Sequence, residues 1–508
     1  MTPRHFKLEP LNSDQLNTLA MTSDQKRLAL FAECFKKLSG TLPQHLAKAG
    51  GRVNLIGEHV DYPDIQFQGA EAAHLFSMGG SVQNSYLVAI KKRSDDTLRL
   101  WHLNAQEGFE CKVSDLPALE SACESEREQH LPMDKRSVPV WAFHTLGALM
   151  EHHKLSKLTA GYDLLLTSNV PHGAGMSNSA ANCVALALVF NAACPELKLL
   201  SQLDLVAFAR RSENSRFAGG HCGCLDQLLI VCSQENKLTR IDYAQNSTDH
   251  FESKLPKSWQ FAALNTNVPH VLAESEYSDR VKELTLGIQL LRNVSGLKTL
   301  GTPTLKLSTY NSLLKCFNID SVSLPVDDQG VSWDEAMCKS VVEKLLKEYQ
   351  VPSLFRHKGL NATQSCAVIL RRMRHQKASA LIVAAAGLAA SRGEALTFGK
   401  LLNAEGESLR MSGDFQITGD NGAQDALLDC GFASAKALDL TVFGRMLGGG
   451  GGGNVLFMAD RQNEALYQKW IVHTQKSYEV WTAKTFKHEK VVATLIEPCL
   501  SAGAQLLY

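Results

Sequence analysis

The run Pro171-His172-Gly173-Ala174-Gly175-Met176-Ser177-Asn178-Ser179-Ala180-Ala181 constrains this chain more than any other stretch. A β-like segment, Tyr162 to Ser168, leads into it, and a helix-like segment, Ala180 to Val189, leads out. Two glycines let the backbone turn tightly and approach a ligand with no Cβ in the way. Ser177, Asn178 and Ser179 fall where a helix begins, with N–H groups that lack intrahelical partners and the positive end of the helix dipole. A helix start of this kind is a ready phosphate site. It is also what an ordinary capped helix after a loop looks like, so the rest of the chain has to decide.

At 508 residues the chain exceeds one ordinary core, and two domains are expected. Basic and acidic residues balance at 52 each, which argues against a nucleic-acid partner. An anionic ligand would have to be met by local charge. The start, Met1 to Lys7, lacks the apolar core of a signal peptide, and no apolar run reaches the roughly 18 residues of a membrane span. No membrane partner is expected. Thirteen scattered cysteines suit reduced thiols, so a cytoplasmic location is expected.

Along the chain, residues 1–25 read as an irregular lead-in, and Gln25 to Leu38 has helical spacing. Arg52-Val53-Asn54-Leu55-Ile56 alternates like a strand and ends in a turn that gathers Glu58, His59 and Asp61. Carboxylates accept from polyol hydroxyls, His donates or accepts, and Arg52 suits phosphate or carboxylate. The same cluster would also serve as a solvated loop. Ser85 to Lys92 and Leu98 to Leu103 read as strands, residues 112–136 as a polar surface excursion, and Val138 to His152 and Leu203 to Asn214 as helices.

Phe217 to Ile230 carries a glycine-rich turn with His221, Cys222 and Cys224, but no second Cys/His pair stands at zinc-site spacing. Asp226 follows the turn and enters an apolar helical run, as a helix cap or as a functional carboxylate. Phe261 to Asn267 reads as a strand, Glu274 to Leu291 as a segment opening a helix, and residues 293–360 carry no chemical motif. Ile369 to Ser391 and Ala395 to Met411 read as helices. Six glycines, Gly448 to Gly453, separate two strand-like runs; they suit either a flexible linker or a close backbone approach.

No Gly-x-x-x-x-Gly-Lys-Ser/Thr occurs, and Gly173 and Gly175 lack the third glycine of a dinucleotide fingerprint. Gly51-Arg52-Val53-Asn54-Leu55-Ile56-Gly57-Glu58-His59-Val60-Asp61-Tyr62 resembles the signature of the galactokinase branch of the GHMP kinases. Pro171 to Ala181 is similar to that family's phosphate loop, and Gly448 to Gly453 to its third block. Cys222 to Gln227 resembles the run that carries its catalytic Asp, and Ser275-Glu276-Tyr277 a sugar-contacting segment.

The resemblance implies an α+β, two-domain architecture with the active site in the interdomain cleft. Its N-terminal domain would span 26–270 and its C-terminal domain 271–508, with an insertion at 293–360. It further implies transfer of the γ-phosphoryl group of ATP to the anomeric hydroxyl of galactose. An N-acetylgalactosamine kinase, or a sugar- and ATP-binding regulator that has lost turnover, is the alternative.

On this resemblance Arg52 and Asp226 would be catalytic, and Glu58, His59, Asp61 and Tyr277 would bind the sugar. Gly173, Ala174, Gly175, Met176, Ser177, Asn178 and Ser179 would cradle ATP, with Ser179 and Glu213 holding Mg²⁺. The partners would be the sugar and ATP, with the chain a monomer or weak oligomer. Four departures from the family pattern stand out. Met176 and Asn178 replace Leu and Ser, and Pro63-Asp64-Ile65 with an insertion to about Phe76 replaces Asn-x-Gly. Glu213 lies thirteen positions before Asp226, an interval that varies in the family. Gly406 stands in place of a His, so Asn403 to Ser408 is assigned no role.

Overall fold

A computed structural model describes residues 3–21, 24–61, 75–220, 222–243, 245–268, 279–281, 283–284, 362–419, 421–486 and 491–508. These form two compact units. The first comprises Met1–Val53, Gly80–Thr239 and Cys499–Tyr508; the second comprises Asn54–Gly79 and Arg240–Pro498.

The first unit begins with β1 (Arg4–Lys7), α1 (Ser13–Ala20), α2 (Asp24–Ser39), β2 (His45–Ile56) and β3 (Phe76–Lys92). Then come β4 (Thr97–His102), β5 (Glu107–Lys112), α3 (Leu116–Glu128), α4 (Phe143–Ser156) and β6 (Tyr162–Ser168). It continues with α5 (Asn178–Ala193), α6 (Gln202–Glu213), α7 (Leu225–Cys232) and β7 (Leu238–Asp242). Its sheet runs β1-β5-β4-β6-β3-β2. Strand β6 lies parallel to β4 and antiparallel to β3, with Leu165 opposite both Trp101 and Ala89. Leu164, Leu165 and Leu166 are all fully buried, which is why this strand reads as an unbroken apolar run. Helix α5 is apolar around most of its circumference, and α4, α6 and α7 pack against it. A second cluster seats Phe31 and Phe35 of α2 on the sheet, with the Phe35 ring edge-on to Trp101.

The second unit contains β8 (Ser247–Phe251), β9 (Trp259–Asn265), α8 (Ala362–Arg392), α9 (Ala395–Leu409), α10 (Ala423–Ala437), β10 (Val442–Met446), β11 (Asn454–Asp460), α11 (Glu464–Thr485) and β12 (Thr494–Ile496). Its antiparallel sheet runs β10-β11-β9-β12. Trp470 of α11 is fully buried, meets Phe457 edge-on at 5.3 Å, and donates its indole N–H to the Gly431 carbonyl at 2.9 Å. A Cβ at Gly431 would lie 2.3 Å from the Phe457 ring, so glycine is what lets α10 sit this close to β11. β13 (Leu500–Ser501) and β14 (Gln505–Leu506) return to the first unit, where they pair with β3 and β2.

Two expectations change. Residues 1–25 are not irregular: β1 extends the sheet edge along β5, and α1 starts from an Asn12 capping box with Gln15. Residues 112–136 contain α3, whose Leu116, Leu119 and Cys123 are buried; its dense charge hid a real apolar face. The two compact units divide within β2, between Val53 and Asn54, and again between Thr239 and Arg240. The turn after β2 finds its hydrogen-bond partners on α8, α9 and β10, so it belongs to the second unit. The insertion at 293–360 lies outside the described residues, as does nearly all of the helix expected over 274–291. Among the described residues, no helix is long and apolar enough to cross a membrane.

Candidate active site

In the first unit, five elements contribute to one place. β2 delivers Arg52, the β6–α5 turn delivers Gly173 to Ser179, α6 ends on Glu213, and α7 begins at Leu225 with Asp226 in its first turn. Gly51 is required here, because a Cβ would lie 2.6 Å from the Met176 carbonyl. That same carbonyl accepts from the Arg52 backbone N–H at 3.1 Å. The strand is thereby stitched to the loop.

The glycine loop is anchored by alternate residues. Ala174 and Met176 are buried, while His172 and Gly173 are exposed. Gly173 and Gly175 have φ of 65° and 66°, and a Cβ on Gly173 would meet nothing within 4 Å. The backbone is therefore free of its own side chains on that side. Ser177 also has a left-handed conformation, φ 57° and ψ 52°, which costs a non-glycine residue about 1–2 kcal/mol. Its hydroxyl does not cap the helix. It donates instead to Asp226 Oδ2, while its carbonyl accepts from Ala181 N–H at 3.0 Å.

Asp226 is held on both oxygens. Arg52 Nε lies 2.7 Å from Oδ1, across 174 positions of sequence, and the Ser177 hydroxyl takes Oδ2. Arg52 also donates through Nη1 to the Gly175 carbonyl. The guanidinium is nearly sealed at 5% exposure, whereas the carboxylate keeps 25%. Asp226 is thus fixed in orientation and still reachable.

Glu213 has a different setting. Oε1 accepts from Ser179 at 2.5 Å and Oε2 from the Gln227 amide at 2.6 Å. Burial, followed by the negative charge of Asp226, pushes its pKa up from 4.5 to about 7. A buried carboxylate held by neutral donors, with a hydroxyl oxygen beside it, is the donor chemistry a small hard cation prefers. Asn178, the bulky replacement in the loop, turns away from the glycines: its amide donates to Ser168 Oγ at 3.0 Å and to the Val170 carbonyl at 2.9 Å.

In the second unit, the turn carrying Glu58, His59 and Asp61 is buried, with these residues 4%, 4% and 8% exposed. Glu58 Oε2 receives Arg445 Nη2 at 2.5 Å. Arg445 also donates to the Asn54 and Leu55 carbonyls at 3.1 and 3.0 Å. His375 Nε2 lies 3.0 Å from the Glu58 carbonyl, and Gln376 donates to the His59 carbonyl. A solvated loop it is not.

The resemblance grouped Arg52, Asp226, Ser177, Ser179 and Glu213; the structure pairs Arg52 and Ser177 with Asp226, and Ser179 with Glu213. The resemblance gave no role to Gln227, His375, Glu405, Ser408 or Arg445. Signals for two of these exist in the sequence. Arg445 interrupts an apolar strand run, and Glu405 falls on the apolar face of α9 with Phe398, Leu402 and Leu409. In Asn403 to Ser408, set aside because Gly406 breaks the family pattern, Asn403, Glu405, Gly406 and Ser408 all make contacts. A Cβ at Gly406 would lie 2.8 Å from the Gly444 carbonyl, and Asn403 accepts from Gly444 N–H at 2.7 Å. Tyr277, His221 and residues 62–74, which hold most of the insertion after Tyr62, lie outside the described residues.

The family model described as GHMP kinases N terminal domain matches residues 141–234, and the galactokinase galactose-binding signature matches residues 33–66. A galactokinase from Glaesserella parasuis is 29% identical over 271 residues, 51% of this chain and 61% of that protein. One from Haemophilus influenzae is 28% identical over 271 residues, 52% and 62% of the two chains. The chain therefore spans about six-tenths of the length of the curated relatives it matches. The crystal structure of Lactococcus lactis galactokinase complexed with galactose superposes with a TM-score of 0.67 at 19% identity. That match covers 94% of this chain and 99% of the other, and the likeness is one of fold.

Proposed function

We propose that the chain, which matches the GHMP kinase N-terminal domain and the galactokinase signature, is a sugar kinase of the galactokinase family that phosphorylates the anomeric hydroxyl of galactose with ATP. What carries the proposal is the Arg52–Asp226 ion pair, 2.7 Å long, at a helix start beside the glycine loop.

Phosphoryl transfer asks a protein mainly to position groups and to neutralise charge. The backbone N–H groups from Gly173 to Ser179 bind the phosphates of ATP at the start of α5. Asp226, steadied by Arg52 and Ser177, orients the anomeric hydroxyl and takes its proton. The sugar oxygen bonds to the γ-phosphorus, the bond from that phosphorus to the β–γ bridging oxygen breaks, and ADP departs. Arg52 offsets charge on the transferred group. Glu58, His59, Asp61 and Tyr277 bind the sugar hydroxyls. Ser179 and Glu213 would hold Mg²⁺, which supplies neutralisation of phosphate charge when bound; as hard oxygen donors they suit it. Asn178, turned back toward β6, leaves the exposed side of the loop clear, which favours the kinase over a regulator without turnover.

A coupled ADP-release assay over a panel of hexoses tests this. Turnover with galactose well above that with glucose, mannose or N-acetylgalactosamine is the expected result. Preference for N-acetylgalactosamine would reassign the substrate, and galactose-dependent thermal stabilisation with no ADP release would sink the kinase.

A further inference from the structure

The turn that bears Glu58 and His59 is built around a carboxylate that no motif identifies. Glu405, on α9, is fully buried. Its Oε1 accepts from two successive backbone N–H groups, Gly57 at 2.7 Å and Glu58 at 3.1 Å, and from Ser379 Oγ at 2.6 Å. Gly57 has φ 89° and His59 φ 59°. Consecutive N–H groups around left-handed residues form a concave anion-binding nest. Here the protein fills the nest with its own carboxylate. The other oxygen, Oε2, faces Arg445 Nε at 3.5 Å, while Arg445 Nη2 meets Glu58 at 2.5 Å. One fully buried guanidinium thus stands between two buried carboxylates. His375 braces the same turn from its other side: its Nδ1 lies 3.0 Å from Ser408 Oγ and its Nε2 3.0 Å from the Glu58 carbonyl.

We infer that Glu405 is a positioning residue for sugar recognition, holding the Gly57–His59 turn so that Glu58 and His59 are presented in one fixed geometry. The inference rests on the proposed sugar kinase function. The chemistry is asymmetric in a useful way. A glutamine at 405 keeps an amide oxygen for the two N–H groups but removes the charge opposite Arg445, whereas an alanine leaves both N–H groups buried and unpaired.

The test compares Glu405→Ala, Glu405→Gln and Ser379→Ala with the unmodified protein, by amide hydrogen exchange and by steady-state kinetics with galactose. In Glu405→Ala, exchange at Gly57 and Glu58 is expected to quicken about tenfold or more while the amides of β11 keep their protection. The KM for galactose is expected to rise about tenfold with the KM for ATP within about twofold, since uniform sugar binding is what is lost. Glu405→Gln should recover most of the exchange protection, and Ser379→Ala should show a smaller gain confined to the same two amides. Unchanged exchange at Gly57 and Glu58, or a gain spread evenly over the second unit, overturns the inference. If Glu405→Ala does not fold, the other two variants carry the test, and no selective gain in either overturns it. Exchange needs no turnover. A protein inactive toward every hexose would therefore refute the kinase while the role of Glu405 is still decided.

Discussion

The glycine loop of the first unit and the signature turn of the second both hold left-handed residues and charged groups, yet they are built in opposite ways. Around the loop, the anchoring residues are Ala174 and Met176, Gly173 opens onto space, and Asp226 keeps a quarter of its surface. Around the turn, Glu58, Glu405 and Arg445 are buried and bonded to one another or to backbone. An open backbone cradle suits a ligand that brings its own charge, because the N–H groups wait for it. A sealed turn suits recognition by orientation, because its polar groups can discriminate only if they do not move.

That contrast can be broken by substitution. The largest effect is expected at the open site. Asp226→Ala should lower kcat by about 10²–10⁴-fold while galactose binding remains measurable by calorimetry, since the part proposed for the carboxylate is proton transfer. Near-normal turnover would remove it from the mechanism. At the sealed turn the readout is stability. Arg445→Met leaves two buried carboxylates without their guanidinium and should lower the unfolding free energy by about 3–5 kcal/mol in urea titration. A loss below about 1 kcal/mol would show that the network is ornamental.

Glu213 sharpens the comparison through pH. Its pKa, raised to about 7 in the fold from 4.5, means that between these values the folded protein keeps a proton that the unfolded chain has released. Stability without a cation should therefore fall as pH rises from about 4.5 to 7, by up to roughly 3 kcal/mol, and level off above. Glu213→Gln should flatten that slope in thermal melts. Mg²⁺, which needs the ionised form, should bind more tightly as pH rises through 7. The smallest effect is expected for Ser177→Ala, which removes one donor from Asp226 and should reduce kcat about tenfold with little change in either KM. A loss equal to that of Asp226→Ala would mean the hydroxyl has a chemical role of its own.

Much of this was legible in the residues. The β6–α5 crossing follows from an unbroken apolar strand, two glycines and an all-round apolar helix, patterns that need only local periodicity. Arg52 and Asp226 could be named because the blocks that carry them resemble those of a known family, and Glu213 was named on the same resemblance although its spacing to Asp226 is not fixed there. α1 and α3 escaped notice because charge and short length masked their buried faces.

The supports of the signature turn are another matter. Glu405 stands 348 positions from Gly57 in the chain, and Arg445 stands 387 from Glu58. A buried Glu on an apolar helix face announces only that it must have a partner. Which partner is decided by the packing of α9 against β10, where Gly406 admits the Arg445 backbone. The sequence by itself determined the chemistry available: a guanidinium, the carboxylates, and a glycine-opened helix start. Only the tertiary structure decided which carboxylate is left reachable and which is spent holding the backbone, because hydrogen-bond partners so distant in the chain are chosen by packing, and burial then fixes what each charge can do.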